Sequence, residues 1–328
     1  MSHDIPNLND RRADGEPTGT DLLRELETIV ETELNRHLAT TKKWYPHEYI
    51  PWSQGKDFAD LGSGDFEAWD ESQSTLGAVA RKAFVVNLLT EDNLPEYHRT
   101  IGSKFSPGSP WATWLRRWTA EENRHGISMR DYLMTTRATD PRALENDRME
   151  HMSRGFTEGD NKDVLHILAY VTFQELATRI SHSNTGKITG DPIAQRLLQR
   201  ISVDENLHML FYRNVVAGAL DIAPNQTMRA IADEVVDFQM PGANMPEFRR
   251  SAVEIATAGI YDLPQHIESV VEPILRQWRV FEREDLSGDG AAARDELAEF
   301  MDTQKIRVVK FVEARDRRLA RQALLRNS

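Results

Sequence analysis

The chain has 328 residues, a formal net charge of −12 and no cysteine. The charge argues against general nucleic-acid binding. The missing thiols exclude a disulfide framework, a Cys-ligated zinc, an iron–sulfur cluster and a cysteine nucleophile within this chain. Hydrophobic residues make up 40%, with no uninterrupted apolar run near the roughly 18 residues that a membrane span requires. The reading is a soluble protein of a reducing compartment, cytoplasmic by expectation, with enough chain for one large core.

Residues 1–19 are polar and lack an apolar h-region, so they read as a flexible tail and not a signal peptide. Leu22, Leu23, Leu26, Ile29, Val30 and Leu34 then mark an amphipathic helix with Thr20 as its N-cap. Residues 40–73 read as irregular, punctuated by Pro46, Pro51, Gly55, Gly62 and Gly64. Gly62-Ser63-Gly64 follows no strand and reads as a loop, not a nucleotide site. Four long helical segments come next. One runs from Thr75 to Leu94, one starts after Pro110, one runs from Val164 to Ser183, and one starts after Pro192. Beyond Ala223 the expected helices are 226–239, 247–259, 265–283 and 291–325, the last packing outside the core or against a partner. No linker divides them. The expectation is an all-α, ferritin-like four-helix bundle, its core about 75–220, with peripheral helices over 225–325, in one domain spanning 20–328.

Two Glu-x-x-His sequences occur, Glu122 with His125 and Glu205 with His208. With 27 Glu and 10 His in the chain, composition alone produces roughly one such pair. Placement raises the signal. Trp118 lies one turn before Glu122 and Ile201 one turn before Glu205, so both pairs fall on apolar stripes, and i, i+3 spacing puts carboxylate and imidazole on one face. The helix before each pair carries an inward acid, Glu91 at 31 residues before Glu122 and Glu175 at 30 before Glu205. The unit of helix with Glu, loop, helix with Glu-x-x-His recurs after 83 or 84 residues. Such a set is the di-iron or di-manganese carboxylate pattern of ferritin-like bundles. Four carboxylates facing one core repel and are costly to desolvate, whereas two divalent ions supply four compensating charges. Mixed oxygen and imidazole donors favour iron or manganese over zinc or copper. A polar layer of ordinary salt bridges is the alternative. It needs cationic partners, for which Arg124 and Arg179 are the candidates.

At these residues the sequence resembles the soluble acyl-carrier-protein desaturases. The strings are TEDNLPEYH at 90–98, WTAEENRHG at 118–126, TFQELATRISHSNTG at 172–186, VDENLH at 203–208 and FQMP at 238–241. The likeness runs from about Trp44 to Pro241 and looks more like the actinobacterial branch than the plastid one. It implies metal ligation by Glu91, Glu122, His125, Glu175, Glu205 and His208. It also implies a threonine near the oxygen-binding face at Thr178, and electron or proton delivery through Asp204 and Trp44. Two departures stand out: Asn206 and Leu207 replace basic residues of plant members, and the spacing from the first Glu to the first pair is shorter.

The implied reaction is oxygen-dependent insertion of a double bond into an acyl chain on acyl carrier protein, in fatty-acid or mycolic-acid-type lipid synthesis, with two iron ions as cofactor. The chain has neither a cysteine cluster nor a dinucleotide fingerprint, so a separate donor is needed, by resemblance a ferredoxin. A homodimer is also implied. Arg116–Arg117, Lys42–Lys43 and Arg249–Arg250 are candidate basic patches, the first being the expected receiver of the carrier. Trp111, Trp114 and Phe173 are candidate channel residues. Metal storage of ferritin type and a di-iron hydroxylase or N-oxygenase are the competing functions.

Overall fold

The computed structural model describes residues 15–58, 68–155, 162–240 and 246–326. Residues 1–14 of the expected tail, Gly62–Gly64 and Pro241 lie outside these, as does the side chain of Arg249. The expected all-α architecture is the one found. Eleven α-helices are described, with no strand longer than an isolated bridge among the described residues.

The helices are α1 (Gly19–Thr40), α2 (Ala78–Asp92), α3 (Leu94–Gly102), α4 (Pro110–Thr135), α5 (Pro141–Arg154), α6 (Val164–Ile188), α7 (Pro192–Ile222), α8 (Pro224–Val236), α9 (Pro246–Thr257), α10 (Glu272–Trp278) and α11 (Gly288–Arg326). Their starts follow from local chemistry. Ser109, Asp140, Asp163 and Asp191 precede α4, α5, α6 and α7, and each accepts a backbone N–H of the first turn on its side-chain oxygen. Proline fills the next position in three of the four, where its missing N–H costs nothing.

Helices α2, α4, α6 and α7 form the bundle, with α2 beside α4 and α6, and α7 beside α6 and α4. Gly126 permits close approach of α4 to α2, since a Cβ there would lie 3.4 Å from Asp92 Oδ1 and 3.6 Å from Glu91 Cβ. Helix α1 and the 3₁₀ turn Pro46–Tyr49 cover the α4/α7 face. Helix α9 packs on α2 at the other side, while α8 packs on α6 and carries the first half of α11.

Several boundaries differ from the sequence reading. Thr18, not Thr20, sits at the N-cap of α1, in extended backbone and with no side-chain cap. The 75–94 segment stops at Asp92, and α3 begins at once because Pro95 is tolerated in a first turn. The 265–283 segment divides into a π-helical Gln265–Val271, α10 and a 3₁₀ turn at Val280–Glu282, with Arg279 left-handed at φ 53°. Helices α3 and α5 were not expected. Within 15–19 the chain is anchored: buried Glu16 accepts the backbone N–H groups of Asn225 and Gln226 at 2.8 and 3.1 Å, capping α8.

Candidate metal centre

All six residues singled out by spacing point into the bundle and are buried. Ligating atoms of Glu91, Glu122, His125 and Glu205 lie within 4.8 Å of one another, as do those of Glu122, Glu175, Glu205 and His208. Glu122 and Glu205 belong to both groups. The geometry is therefore two positions, each with its own Glu and His, sharing two carboxylates.

Hydrogen bonds fix which imidazole nitrogen faces inward. His208 Nε2 lies 2.9 Å from Glu121 Oε2, and the carboxylate can only accept, so the proton is on Nε2. Its Nδ1 then faces Glu122 Oε1 at 2.6 Å and Glu175 Oε2 at 3.4 Å. His125 mirrors this. Its Nε2 faces Asp204 Oδ2 at 3.4 Å, and its Nδ1 lies 3.2 Å from Glu205, 3.6 Å from Glu122 and 3.7 Å from Glu91. His125 Nδ1, His208 Nδ1, Glu122 Oε1, Glu175 Oε2 and Glu205 Oε1 are buried and make no hydrogen bond. Lone pairs and carboxylate oxygens aimed at one another need a cation between them. These donors fit a pair of divalent ions.

The titration behaviour expresses the same demand. Burial pushes the Glu175 carboxyl up, and neighbouring Glu122 pushes it further, well above the usual carboxylate range. Burial opposes charge on both imidazoles. Even so, Glu122 with the other nearby carboxylates holds His125 well above its ordinary value, and Glu175 with Glu122 does so for His208. On each imidazole a proton balances the carboxylates around it. Burial and Glu205 push Glu91 up, but the neighbouring His125 and His182 imidazoles outweigh them and leave it lowered.

The remaining carboxylate oxygens are held by donors. Trp118 Nε1 donates to Glu175 Oε1 at 2.8 Å, Thr178 Oγ1 to Glu205 Oε2 at 2.7 Å, and His182 Nε2 to Glu91 Oε1 at 2.9 Å. Thr178 also bonds back to Glu175 O at 3.0 Å. Asp204 accepts from Trp44 Nε1 at 2.7 Å, from Arg124 at 2.8 Å and from Arg200. Burial raises the Asp204 carboxyl, yet His125, His208 and Arg200 hold it well below the usual range. Such partners orient metal-binding side chains. Arg179 is not among them, because its side chain is exposed.

Sequence reasoning missed Glu121 and His37. Glu121 Oε2 lies 2.9 Å from His37 Nε2 as well as from His208, and Arg117 pairs with the same carboxylate. Glu121 thus repeats for His208 what Asp204 does for His125, one residue before each Glu-x-x-His. That register was visible in sequence. The partner on α1 was not. His182 was written within a quoted string without a role of its own.

Trp111, Trp114 and Phe173 are core residues, Trp114 stacking on Phe211 at 3.6 Å and Phe173 lying edge-on to Trp278 at 5.6 Å. Among the described residues, a cavity that reaches the cluster lies elsewhere. It has a volume of about 100 Å³, is mostly apolar, and runs between α2, α6 and α9 past Val86, Ala177, Ala252 and Ile255 to Thr178 and His182. A larger space of about 530 Å³ between α2, α5 and α9 shares Val86, Thr90 and Phe248 with it.

The family model described as fatty acid desaturase matches residues 18–325. This chain belongs to the fatty acid desaturase family. It is 51% identical over 313 residues, 93% of this chain and 92% of the other, to the Mycobacterium tuberculosis protein named as acyl-[acyl-carrier-protein] desaturase DesA1. The rice chloroplast protein acyl-[acyl-carrier-protein] desaturase 7 is 31% identical over 315 residues, 89% of this chain and 76% of the rice protein. The X-ray structure of acyl-ACP desaturase DesA2 from M. tuberculosis superposes with a TM-score of 0.64 at 33% identity, covering 78% of this chain and 98% of that one. These desaturase relatives include mycobacterial members, as expected for the branch. Among the described residues no helix is long and apolar enough to cross a membrane.

Proposed function

We propose that this protein is an acyl-carrier-protein desaturase that binds two iron ions through Glu91, Glu122, His125, Glu175, Glu205 and His208. The observation that carries the reading is the pair of buried donor groups sharing Glu122 and Glu205, inside a member of the fatty acid desaturase family. When bound, the metal pair would supply oxygen chemistry able to remove two hydrogens from unactivated methylenes, which no side chain provides.

The chain's own residues do the rest. Glu122 and Glu205 belong to both donor groups and would hold both ions, while Glu91 and Glu175 would each hold one. Trp118, Thr178 and His182 hold three of these carboxylates in place by hydrogen bonds. A few carbons of the acyl chain would fill the apolar cavity between α2, α6 and α9, where Thr178 and His182 separate them from the carboxylates, with the rest of the chain in the adjoining space between α2, α5 and α9. Asp204 and Trp44 form the link from His125 to the protein surface at Arg124 and Arg200, the route proposed for electron or proton delivery. Two of the four electrons that reduce oxygen come from substrate and two from a ferredoxin-type donor. A homodimer and a cytoplasmic location complete the proposal.

The test is aerobic turnover of acyl carrier protein thioesters of several chain lengths with ferredoxin and its reductase, products read by mass spectrometry. Two irons per chain and an alkene two mass units below substrate are expected. A hydroxylated product would move the assignment to a hydroxylase, and metal uptake without product would favour storage.

A further inference from the structure

Helix α11 divides by charge. Its first part, residues 288–304, carries five acidic residues and one basic, a net −4. Residues 305–328 carry eight basic residues and two acidic, a net +6, on a chain whose whole is −12. The rest of the molecule therefore sums to −18. Complementing the helix dipole does not explain this, since that field fades within the last turn and the basic residues begin about five turns earlier.

Arg307, Lys310, Arg317, Arg318 and Arg321 are exposed. Lys305, Arg315 and Arg317 pair with Asp302, Asp262 and Glu313. Among the described residues, Arg307, Lys310, Arg318 and Arg321 face no acidic partner. Apolar side chains are exposed beside them, Ile306 at 59% and Val309 at 58%. The helix continues past its support on α8 and lies along α9. There Phe311, Ala314 and Arg318 face Val253, Ala256 and Thr257 across a groove of about 380 Å³. Helix α9 is the wall this groove shares with the acyl cavity, because Ala252 lines both and Ile255 and Phe248 line the cavity side.

We infer that the basic half of α11, with its groove against α9, docks the acidic acyl carrier protein that delivers the substrate. The inference rests on the desaturase reading. Charge complementarity selects the occupant, since a strongly acidic partner meets the one +6 segment of a −18 body. Position supports it, because the docked carrier stands one helix away from the cavity that leads to Thr178 and His182. The Arg116–Arg117 pair expected from sequence is a poorer receiver. Arg117 is paired with Glu121, which leaves Arg116 alone facing out.

The experiment uses the iron-loaded full chain and the triple variant Lys310→Glu, Arg318→Glu, Arg321→Glu. Affinity for acyl-free carrier protein is read by fluorescence anisotropy at low and high salt, alongside steady-state turnover of acyl carrier protein. The variant should raise both Kd and KM at least tenfold, keep kcat within twofold, retain iron, and show a weaker salt dependence. Arg116→Glu should change none of these. Unchanged Kd and KM in the triple variant overturn the inference. So does unchanged carrier binding with an altered oligomeric state in size-exclusion chromatography, which would make the face a contact between copies. Wild-type protein that binds carrier without forming an alkene overturns the desaturase reading and leaves the docking surface standing.

Discussion

Replacing Glu175 by Gln separates the two demands on the cluster, because the amide keeps the shape and removes the charge. Its carbonyl oxygen still accepts from Trp118 Nε1, 2.8 Å away in the native chain. Without metal, Glu175 has a raised pKa from burial and from Glu122, so above the unfolded value near 4 the folded state binds more protons than the unfolded one. Stability of the metal-free wild type must then fall as pH rises from about 4 through the folded value. The Gln variant lacks that slope. Removing a carboxyl that is costly to ionise in place should stabilise the metal-free protein by about 1–4 kcal/mol between pH 5 and 8, or roughly 2–8 °C in Tm for a chain of this size. With iron the order reverses. Wild type at a hundredfold excess of metal over Kd gains about 2.7 kcal/mol, and the variant, lacking a terminal carboxylate, gains less and binds fewer than two irons. Paired melts of both proteins, with and without iron, between pH 5 and 8, with a colorimetric iron count, decide it. A metal-free variant less stable than metal-free wild type, together with an unchanged iron count, would refute the reasoning.

Trp44→Phe removes the indole donor to Asp204 and leaves Arg124 and Arg200 in place. It should cost about 1–3 kcal/mol in urea unfolding, keep two irons, and lower donor-supported turnover. His266 stacks on Phe238 and shares a hydrogen bond with Tyr261 Oη through Nδ1 at 2.9 Å, and burial lowers its pKa to about 4. Below about 6.5 the unfolded chain takes a proton that the folded one refuses. Stability should therefore fall from pH 7 to 5 by on the order of 1–2 kcal/mol through this group, partial exposure allowed for, and His266→Gln should flatten that part of the profile. A Cβ on Gly218 would lie 2.3 Å from Ile29 Cδ1, where α1 crosses α7. Gly218→Val should lower stability by about 1–3 kcal/mol, with part recovered when Ile29 is also cut to Ala; an additive double variant would count against a direct clash.

The six clustered residues were legible because helical periodicity makes a spacing of three or four equivalent to a shared face. The strings at 118–126 and 172–186 then pointed to the family that the comparisons bear out. What stayed hidden depends on which helix lies against which. His37 is 84 residues from Glu121, and no periodicity on α1 separates a histidine that faces α4 from one that faces solvent. Arg117 looked like surface charge until its turn brought it to Glu121. Sequence left Trp111, Trp114 and Phe173 as candidates for either core or channel, because burial alone does not separate a packed core from a lined space, and the structure buries all three. Helix α3 was missed for a local reason: Pro95 read as a stop, whereas it occupies a first turn.

Among the described residues, the bundle has one face that is covered and another that carries the cavity reaching Thr178 and His182. Helix α1 and the turn at Pro46–Tyr49 close it along α4 and α7, while the space leading to Thr178 and His182 lies along α2 and α6. Among the described residues, α1 and that turn stand across the bundle from the flank by which a linear molecule would enter. The carbon that stops beside the carboxylates is then set by how much chain fits beyond them before the walls meet. On the proposed function, the cavity would act as a ruler. Enlarging or shrinking side chains such as Ala177 or Val86 should slide the double bond along the chain while leaving the chemistry at the centre alone.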